Sequence, residues 1–196
     1  MTAQFDNIDH ARFGGTYDGK SAENMYMFFD AGEPTVNYIA FAIEFGPRDS
    51  VLQWVEDVLV QYPNHKAIIS THCYYNMYGD KSTYNSTTND AFRDGNEGVE
   101  IWEKLVSKND NIVMVMCGHS QNQLWQGHVD KNDFGNDVLQ ILADPSAMVT
   151  GFPSEEGLMM YMCFSNDGTM HTYYYSPLYD AYYDSSFENT YEMRVV

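Results

Sequence analysis

The stretch of sequence that decides the fold is residues 38–71, YIAFAIEFGPRDSVLQWVEDVLVQYPNHKAIIST. It opens with an apolar run at 38–44 and closes with another at 66–71, and runs of this length are typical of buried strands. The segment between them carries an apolar stripe at the helical period, formed by Val51, Leu52, Val55, Val58 and Leu59. Pro63 ends this predicted helix, which covers about residues 51–62. The order strand, helix, strand predicts an α/β fold.

The same kinds of element continue on both sides of this stretch. A run at 25–29 is separated from the strand at 38–44 by a turn-forming cluster, which predicts a hairpin. A second amphipathic helix is predicted at about 96–107, followed by a buried strand at 111–117. Further strands are predicted at 138–143, 158–164 and 169–175, the last two joined as a hairpin. We therefore expect a single α/β domain over residues 1–196, a sandwich of sheet and helices without internal repeats.

Composition limits the classes of protein to which the chain can belong. Of its 196 residues, 44% are apolar and 15% aromatic, which excludes a disordered chain and suffices for one sizeable core. The formal net charge is −18, from 28 acidic and 10 basic residues. Because binding to phosphate groups needs clustered Lys and Arg, we expect neither nucleic acid nor an anionic membrane as a partner.

Cellular location and oligomeric state are left open by the sequence. No apolar run approaches the ~20 residues of a membrane-spanning helix. The N-terminus lacks the basic start and apolar stretch of a signal peptide, although the acidic, lysine-poor composition favours a secreted full-length protein. Cys73, Cys117 and Cys163 are widely spaced, so we expect buried free thiols.

Two histidines are predicted to lie at the same edge of the sheet. His72 follows the predicted strand at 66–71, and His119 follows the predicted strand at 111–117. In α/β sheets, ligands gather at the carboxyl ends of the strands, so two imidazoles placed there can share a metal ion. The alternative is a pair of loop histidines with ordinary hydrogen bonds, and the residues alone leave both interpretations open.

The sequence around these histidines resembles one enzyme family. The segments IISTHCYYN and VMVMCGHSQ resemble the last two motifs of the calcineurin-like metallophosphoesterases, a lone histidine after a strand and GHxH. The likeness extends over most of the chain, from about residue 15 to residue 177. It implies a metal-dependent phosphoesterase that hydrolyses phosphate mono- or diesters at a dinuclear site. It also implies that this chain corresponds to the C-terminal part of a domain with four layers, α, β, β and α.

The resemblance assigns roles residue by residue. His72 matches the lone histidine and His119 the first histidine of GHxH, and both would be ligands of the second metal ion. Gln121 stands where the second histidine of GHxH would bind the first ion, and an amide oxygen is a weaker ligand than imidazole for zinc or iron. The implied cofactors are divalent ions such as Mn, Zn or Fe, and the implied partner is a phosphate-ester substrate.

Other ligands that the family uses are missing from the chain. It contains no DxH, GDxxD or GNH in the family's order, and therefore lacks the bridging aspartate and the histidine that protonates the leaving group. Carboxylates offset the repulsion between two close cations, and two neutral imidazoles alone hold a divalent ion weakly. We therefore expect this chain alone to be weakly active or inactive.

Some other residues are candidates for the same site. His128 follows the GHSQ segment closely and is a candidate replacement for the missing histidine. Asn76 and Tyr74 come just after His72 and are candidates for the mouth of the pocket, and Arg48 is expected to anchor a loop. Two hypotheses remain: a metallophosphoesterase represented by its C-terminal part, or a non-catalytic binding or structural module that keeps the fold without the metal site.

Overall fold

The computed structural model describes residues 11–31, 36–76, 78–83, 95–120, 126–144, 158–165, 167–183 and 188–192. These residues form a sheet-dominated α/β architecture. The strands are β1 Phe13–Thr16, β2 Met25–Ala31, β3 Val36–Ala42, β4 Lys66–Ser70, β5 Ile112–Cys117, β6 Gln126–Lys131, β7 Asp137–Leu142, β8 Met159–Phe164, β9 Thr169–Ser176, β10 Ala181–Tyr182 and β11 Asn189–Glu192. The helices are α1 Asp49–Gln61 and α2 Gly98–Ile101, and α2 continues as a π-helical turn at Trp102–Val106.

The larger sheet has seven strands in the order β1-β2-β3-β4-β5-β7-β6. Its centre is parallel, because β3 pairs with β4, β4 with β5 and β5 with β7 in the same direction. The outer strands β1, β2 and β6 run antiparallel to their neighbours. The carboxyl ends of the four parallel strands β3, β4, β5 and β7 therefore meet at one edge of the sheet.

The first strand of this sheet is irregular. Phe13 pairs with Met27 whereas Gly15 pairs with Tyr26, so β1 contains a bulge at Gly14. A β-carbon on Gly14 would lie only 2.0 Å from the ring of Tyr26. That ring is itself packed against other aromatic rings, including Phe41. Glycine at this position therefore lets the bulged backbone approach the ring.

The smaller sheet is built around β9. β8 pairs with one edge of β9, while β11 and β10 pair with successive parts of the other edge. Along β9, Met170, Thr172 and Tyr174 are buried and the residues between them are more exposed. The strand therefore has one face toward the core and one face toward solvent.

The core lies on both faces of the larger sheet, so the described residues form three layers. On one face, α1, α2 and the π-helical turn pack against the sheet through a cluster that includes Val51, Val55, Leu105, Ile39, Ile69 and Val115. On the other face the smaller sheet packs against it through Tyr38, Ile68, Met114, Ile141 and Met170. The four parallel strands are thereby covered on both faces, which explains their continuous apolar sequences.

Most of the predicted elements are confirmed within two residues at each end. The hairpin of β2 with β3 and that of β8 with β9 are present, and both are antiparallel as predicted. The predicted second helix is shorter than expected, and its second half widens into the π-helical turn. The sequence did not predict β1, β6, β10 and β11, whose polar or glycine-containing sequences lack an apolar run.

The three cysteines are free, and they differ in burial. Cys73 and Cys117 are buried, as expected, whereas Cys163 is exposed on β8. The expectation of a buried thiol was wrong for Cys163 because alternate residues of β8 face outward.

No helix in the described part of the chain combines the length and apolar character that crossing a membrane requires.

Candidate functional site

The two histidines predicted to form a site lie beyond neighbouring parallel strands. β4 ends at Ser70 and β5 at Cys117, and each histidine comes two residues later. Ser70 pairs in register with Met116, so the two strands end at the same level. The backbone continues this alignment, since the N–H of Gly118 donates a hydrogen bond to the carbonyl oxygen of His72 at 3.0 Å. His72 and His119 are therefore brought to one edge of the sheet, as predicted.

The two imidazole rings face each other through nitrogen atoms. Nδ1 of His119 lies 2.9 Å from Nε2 of His72, and both side chains are exposed to solvent. One nitrogen donates the shared proton, and which one depends on the tautomers. In a tetrahedral site two nitrogens, each ~2.0–2.1 Å from the ion, would be ~3.3–3.4 Å apart, a few tenths of an ångström farther than these two. A shared cation would therefore require both loss of the proton between the rings and a slight separation of the two nitrogens.

An aromatic ring from a third strand end packs against both histidines. Phe45 lies beyond β3, and its ring centroid is 4.9 Å from that of His72 and 5.1 Å from that of His119. This contact restricts the orientation of both imidazoles and excludes water from one side of the pair. Phe45 was not predicted as part of the site, although Phe45 follows a predicted strand in the same way as the two histidines.

The loop that carries Phe45 is anchored by ionic hydrogen bonds. Arg48 donates from Nε and Nη2 to the two carboxylate oxygens of Glu44, at 2.7 and 2.9 Å. Asn24 donates from Nδ2 to the same carboxylate and accepts the backbone N–H of Glu44. Burial alone would raise the pKa of Glu44, but the hydrogen bonds from Arg48 and Asn24 outweigh it and hold the pKa below its usual value. Arg48 thus anchors this loop, as expected.

The backbone at His119 is held in an uncommon conformation. Its φ is 70°, in the left-handed region that residues other than glycine seldom occupy. The adjacent Ser120 is tied to the fold, because its Oγ donates to the carbonyl oxygen of Tyr75 at 2.6 Å. Such a conformation costs roughly 1–3 kcal/mol and concentrates at functional sites, where surrounding contacts impose it. At His119 it turns the imidazole toward His72.

The electrostatic surroundings favour a neutral imidazole at His72. Partial burial lowers the pKa of His72, and the neighbouring His119 lowers it further, while the carboxylate of Asp144 opposes both. Asp144 lies just beyond β7, at the same edge of the sheet, and is buried. A neutral imidazole is the form that binds a metal ion. Asp144 was also missed by the sequence analysis, although the strand-end rule points to it.

The other candidate residues that the structure describes make contacts with residues outside this pair. Tyr74 is fully buried and its hydroxyl donates to Oε1 of Gln140 at 2.7 Å, so its placement at a pocket mouth was wrong. The side chain of Asn76 accepts backbone N–H groups of Tyr78 and Asp80 and so stabilises a turn. His128 lies on β6 and packs its ring against Tyr75, at 4.9 Å between centroids. Gln121 lies outside the described residues.

The donor set for a metal is therefore partial. Among the residues that the structure describes, no group of three or more His, Cys, Asp and Glu side chains is placed to hold one ion. The fit to a divalent cation rests on the facing nitrogens of His72 and His119. Two imidazoles supply half of a tetrahedral shell, so water or further ligands must complete it.

Comparison with known proteins gives one distant likeness. No known family profile matches the chain. The chain is 27% identical over 191 residues to the uncharacterized protein YvnB of Bacillus subtilis (strain 168). The match covers 93% of this chain but 13% of YvnB, so the chain spans about an eighth of the length of that relative.

Proposed function

We propose that this chain forms the C-terminal part of a calcineurin-like metallophosphoesterase domain, which hydrolyses phosphate mono- or diesters with divalent metal ions. The observation that carries the proposal is the approach of Nδ1 of His119 to Nε2 of His72 at the carboxyl edge of a parallel sheet. The resemblance in sequence assigns these same two residues to one metal ion, and the spacing of their nitrogens is compatible with that role.

The residues of this chain would act as a binding half-site. His72 and His119 would hold one ion through their facing nitrogens, and Phe45 would fix the two rings and keep water from one side of them. When bound, two divalent ions in such a site neutralise the phosphate and lower the pKa of a water molecule. The net charge of −18 would repel a phosphate ester, so the cations are also needed for substrate attraction.

The four-layer sandwich is part of the same proposal. The described residues supply one helical layer and two sheets, packed in the order helix, sheet, sheet. This order agrees with three consecutive layers of an αββα domain. In this proposal, further ligands, including the carboxylates that would bridge two ions, come from residues outside the described set.

The second candidate function is a non-catalytic binding or structural module. It is favoured by the limited donor set, because no third acidic, histidine or cysteine ligand joins His72 and His119 within the described residues. In this case the short contact between the rings is a hydrogen bond of the folded state and has no role in metal binding.

Metal titration separates the two candidates. We expect the protein to bind about one Zn²⁺ or Mn²⁺ ion per chain in calorimetry, weakly because two imidazoles provide the protein ligands. His72→Ala and His119→Ala should each abolish this binding. The matched control is His171→Ala, since His171 is exposed on β9 and contacts Thr190. Equal binding by the protein and all three variants would contradict the proposed site.

A phosphatase assay then tests the activity itself. With Mn²⁺ present, p-nitrophenyl phosphate and bis(p-nitrophenyl) phosphate should be hydrolysed slowly, and both site variants should lose this activity. The His171→Ala variant should keep it. Hydrolysis that is unchanged in the His72→Ala and His119→Ala variants would contradict the role proposed for this pair.

A further inference from the structure

A second surface of the molecule carries a set of aromatic side chains that the proposed site does not use. On the outer face of the smaller sheet, Tyr161, Tyr173, Tyr175 and Tyr182 form a continuous group, here called the tyrosine face. Tyr161 pairs across strands with Tyr173, and Tyr175 pairs with Tyr182. Neighbouring ring centroids are 5.3 to 6.4 Å apart, so each ring contacts at least two others.

The tyrosine face is open to solvent. Tyr161 is 43% and Tyr182 63% exposed, and Met159 beside them is 43% exposed. The residues that alternate with them face inward: Met170 is buried against the larger sheet, and Tyr174 is buried in a cluster with Leu158. The rings therefore form an exposed aromatic surface on a rigid sheet, and contiguous exposed surfaces of this kind are typical of binding sites.

Carboxylates flank this surface. The hydroxyl of Tyr175 donates to a carboxylate oxygen of Asp180. The pKa of Tyr173 is raised by its hydrogen bond with Cys163, and the negative charge of Glu188 raises it further. The described residues between 158 and 192 contain four acidic side chains, Asp167, Asp180, Glu188 and Glu192, and no lysine or arginine. The surface is thus both aromatic and negative, the combination that attracts cations.

The ring orientations distinguish between classes of ligand. Tyr161 and Tyr175 are inclined at 78° to each other, Tyr173 and Tyr182 at 84°, and Tyr175 and Tyr182 at 59°. Tyr161 and Tyr173 are closer to parallel, at 28°, but the four rings do not form a longer row of near-parallel rings of the kind that would suit stacking against the flat faces of sugars. Inclined rings present their faces in several directions, so separate cationic side chains can each lie over the face of a different ring.

We propose that the tyrosine face is a docking surface for a basic, flexible polypeptide segment, with arginine or lysine side chains lying over the tyrosine rings and neutralised by Asp180 and Glu188. Arginine fits this surface particularly well, because its guanidinium is planar, weakly hydrated and able to stack on aromatic rings. The net charge of −18 would attract such a basic segment, just as it would repel a nucleic acid.

The proposal is tested with synthetic peptides and the full chain. A peptide of alternating glycine and arginine should bind, and raising the salt concentration should weaken the binding. The same peptide with citrulline, the neutral analogue of arginine, and a peptide of alternating glycine and glutamate should not bind. Equal binding of the arginine and citrulline peptides would overturn the proposal, and so would binding of the neutral sugar maltohexaose in preference to the arginine peptide.

Variants place the binding on this face. The double variant Tyr161→Ser, Tyr182→Ser should bind the arginine peptide about tenfold more weakly, and Asp180→Asn should also weaken it. The matched control is Tyr78→Ser, because Tyr78 is 79% exposed and lies in a different part of the chain. Unchanged affinity in the double variant would overturn the proposal. If the double variant does not fold, as judged by circular dichroism, Asp180→Asn and the citrulline comparison still decide.

Discussion

The two sheets of this protein carry their candidate binding residues in different positions. In the larger sheet the parallel strands are covered on both faces, and the histidine pair lies beyond their carboxyl ends. In the smaller sheet one face is covered, and the four residues of the tyrosine face lie along the open face instead. A sheet buried on both sides can present functional groups only at its edges, whereas a sheet buried on one side can use its whole outer surface.

The largest expected effect tests the difference in burial between the two sheets. Ile69 on β4 is fully buried, and Met159 on β8 is 43% exposed. We expect Ile69→Ala to lower the free energy of unfolding by roughly 2–5 kcal/mol, because it removes buried methyl groups and leaves a cavity. Met159→Ala should change it by less than ~0.5 kcal/mol, as surface substitutions usually do. Urea unfolding measures both, and equal losses would show that the outer face is also covered.

A smaller effect on stability is expected when one tyrosine hydroxyl is removed, either from a buried site beside the larger sheet or from the surface of the smaller sheet. The buried Tyr74 donates to Gln140, whose side chain is also buried, while Tyr173 donates to Cys163 at the surface. Tyr74→Phe leaves Oε1 of Gln140 without this donor and should cost roughly 1–3 kcal/mol. Tyr173→Phe should cost much less, because water replaces the lost contact. A similar cost for the two variants in thermal unfolding would contradict this difference.

The smallest expected effect is a dependence of stability on pH. The pKa of Glu44 is lowered in the folded state, so its ionised form adds stability above the unfolded pKa of about 4.3. That contribution is lost as the pH falls through the lowered folded pKa. Glu44→Gln should therefore flatten the loss of stability on acidification, as followed by melting temperatures from neutral to acidic pH.

An exposed carboxylate of the smaller sheet provides the control. The pKa of Asp167 is also lowered, by hydrogen bonds from Thr169, but its side chain is fully exposed to solvent. Solvent screens such contacts, so Asp167→Asn should alter the acid dependence less than Glu44→Gln does. If Asp167→Asn altered the acid dependence more than Glu44→Gln, the Glu44 carboxylate would not be what holds the loop that carries Phe45.

The strands predicted from the sequence are those with a strong apolar pattern. β4 and β5 are continuous apolar runs because both faces are covered, and their boundaries were found within one residue. β6 was missed because its sequence, QGHVDK, has no such run; it is held at the edge of the sheet by pairing with β7. Pairing with a distant strand depends on tertiary structure, which a local pattern does not contain.

The candidate site was also predictable only in part, because strand ends can be located from the sequence but side-chain orientations cannot. The positions of His72 and His119 follow from where two strands end, and strand ends were predicted well. Their mutual orientation depends on the left-handed conformation at His119, which the fold imposes through contacts distant in sequence. Tyr74 was assigned to a pocket mouth from its closeness to His72 in sequence, whereas in the fold it is buried and its hydroxyl reaches Gln140.

The bulge in β1 has a consequence for how copies of this protein meet in solution. β1 is an edge strand of the larger sheet within the described residues, and a regular edge offers a row of backbone donors and acceptors to strands of other molecules. The shift between Phe13 and Gly15 interrupts the spacing of that row. A strand from a second copy would match only a few of its hydrogen bonds, so the bulge disfavours edge-to-edge aggregation at this end of the sheet.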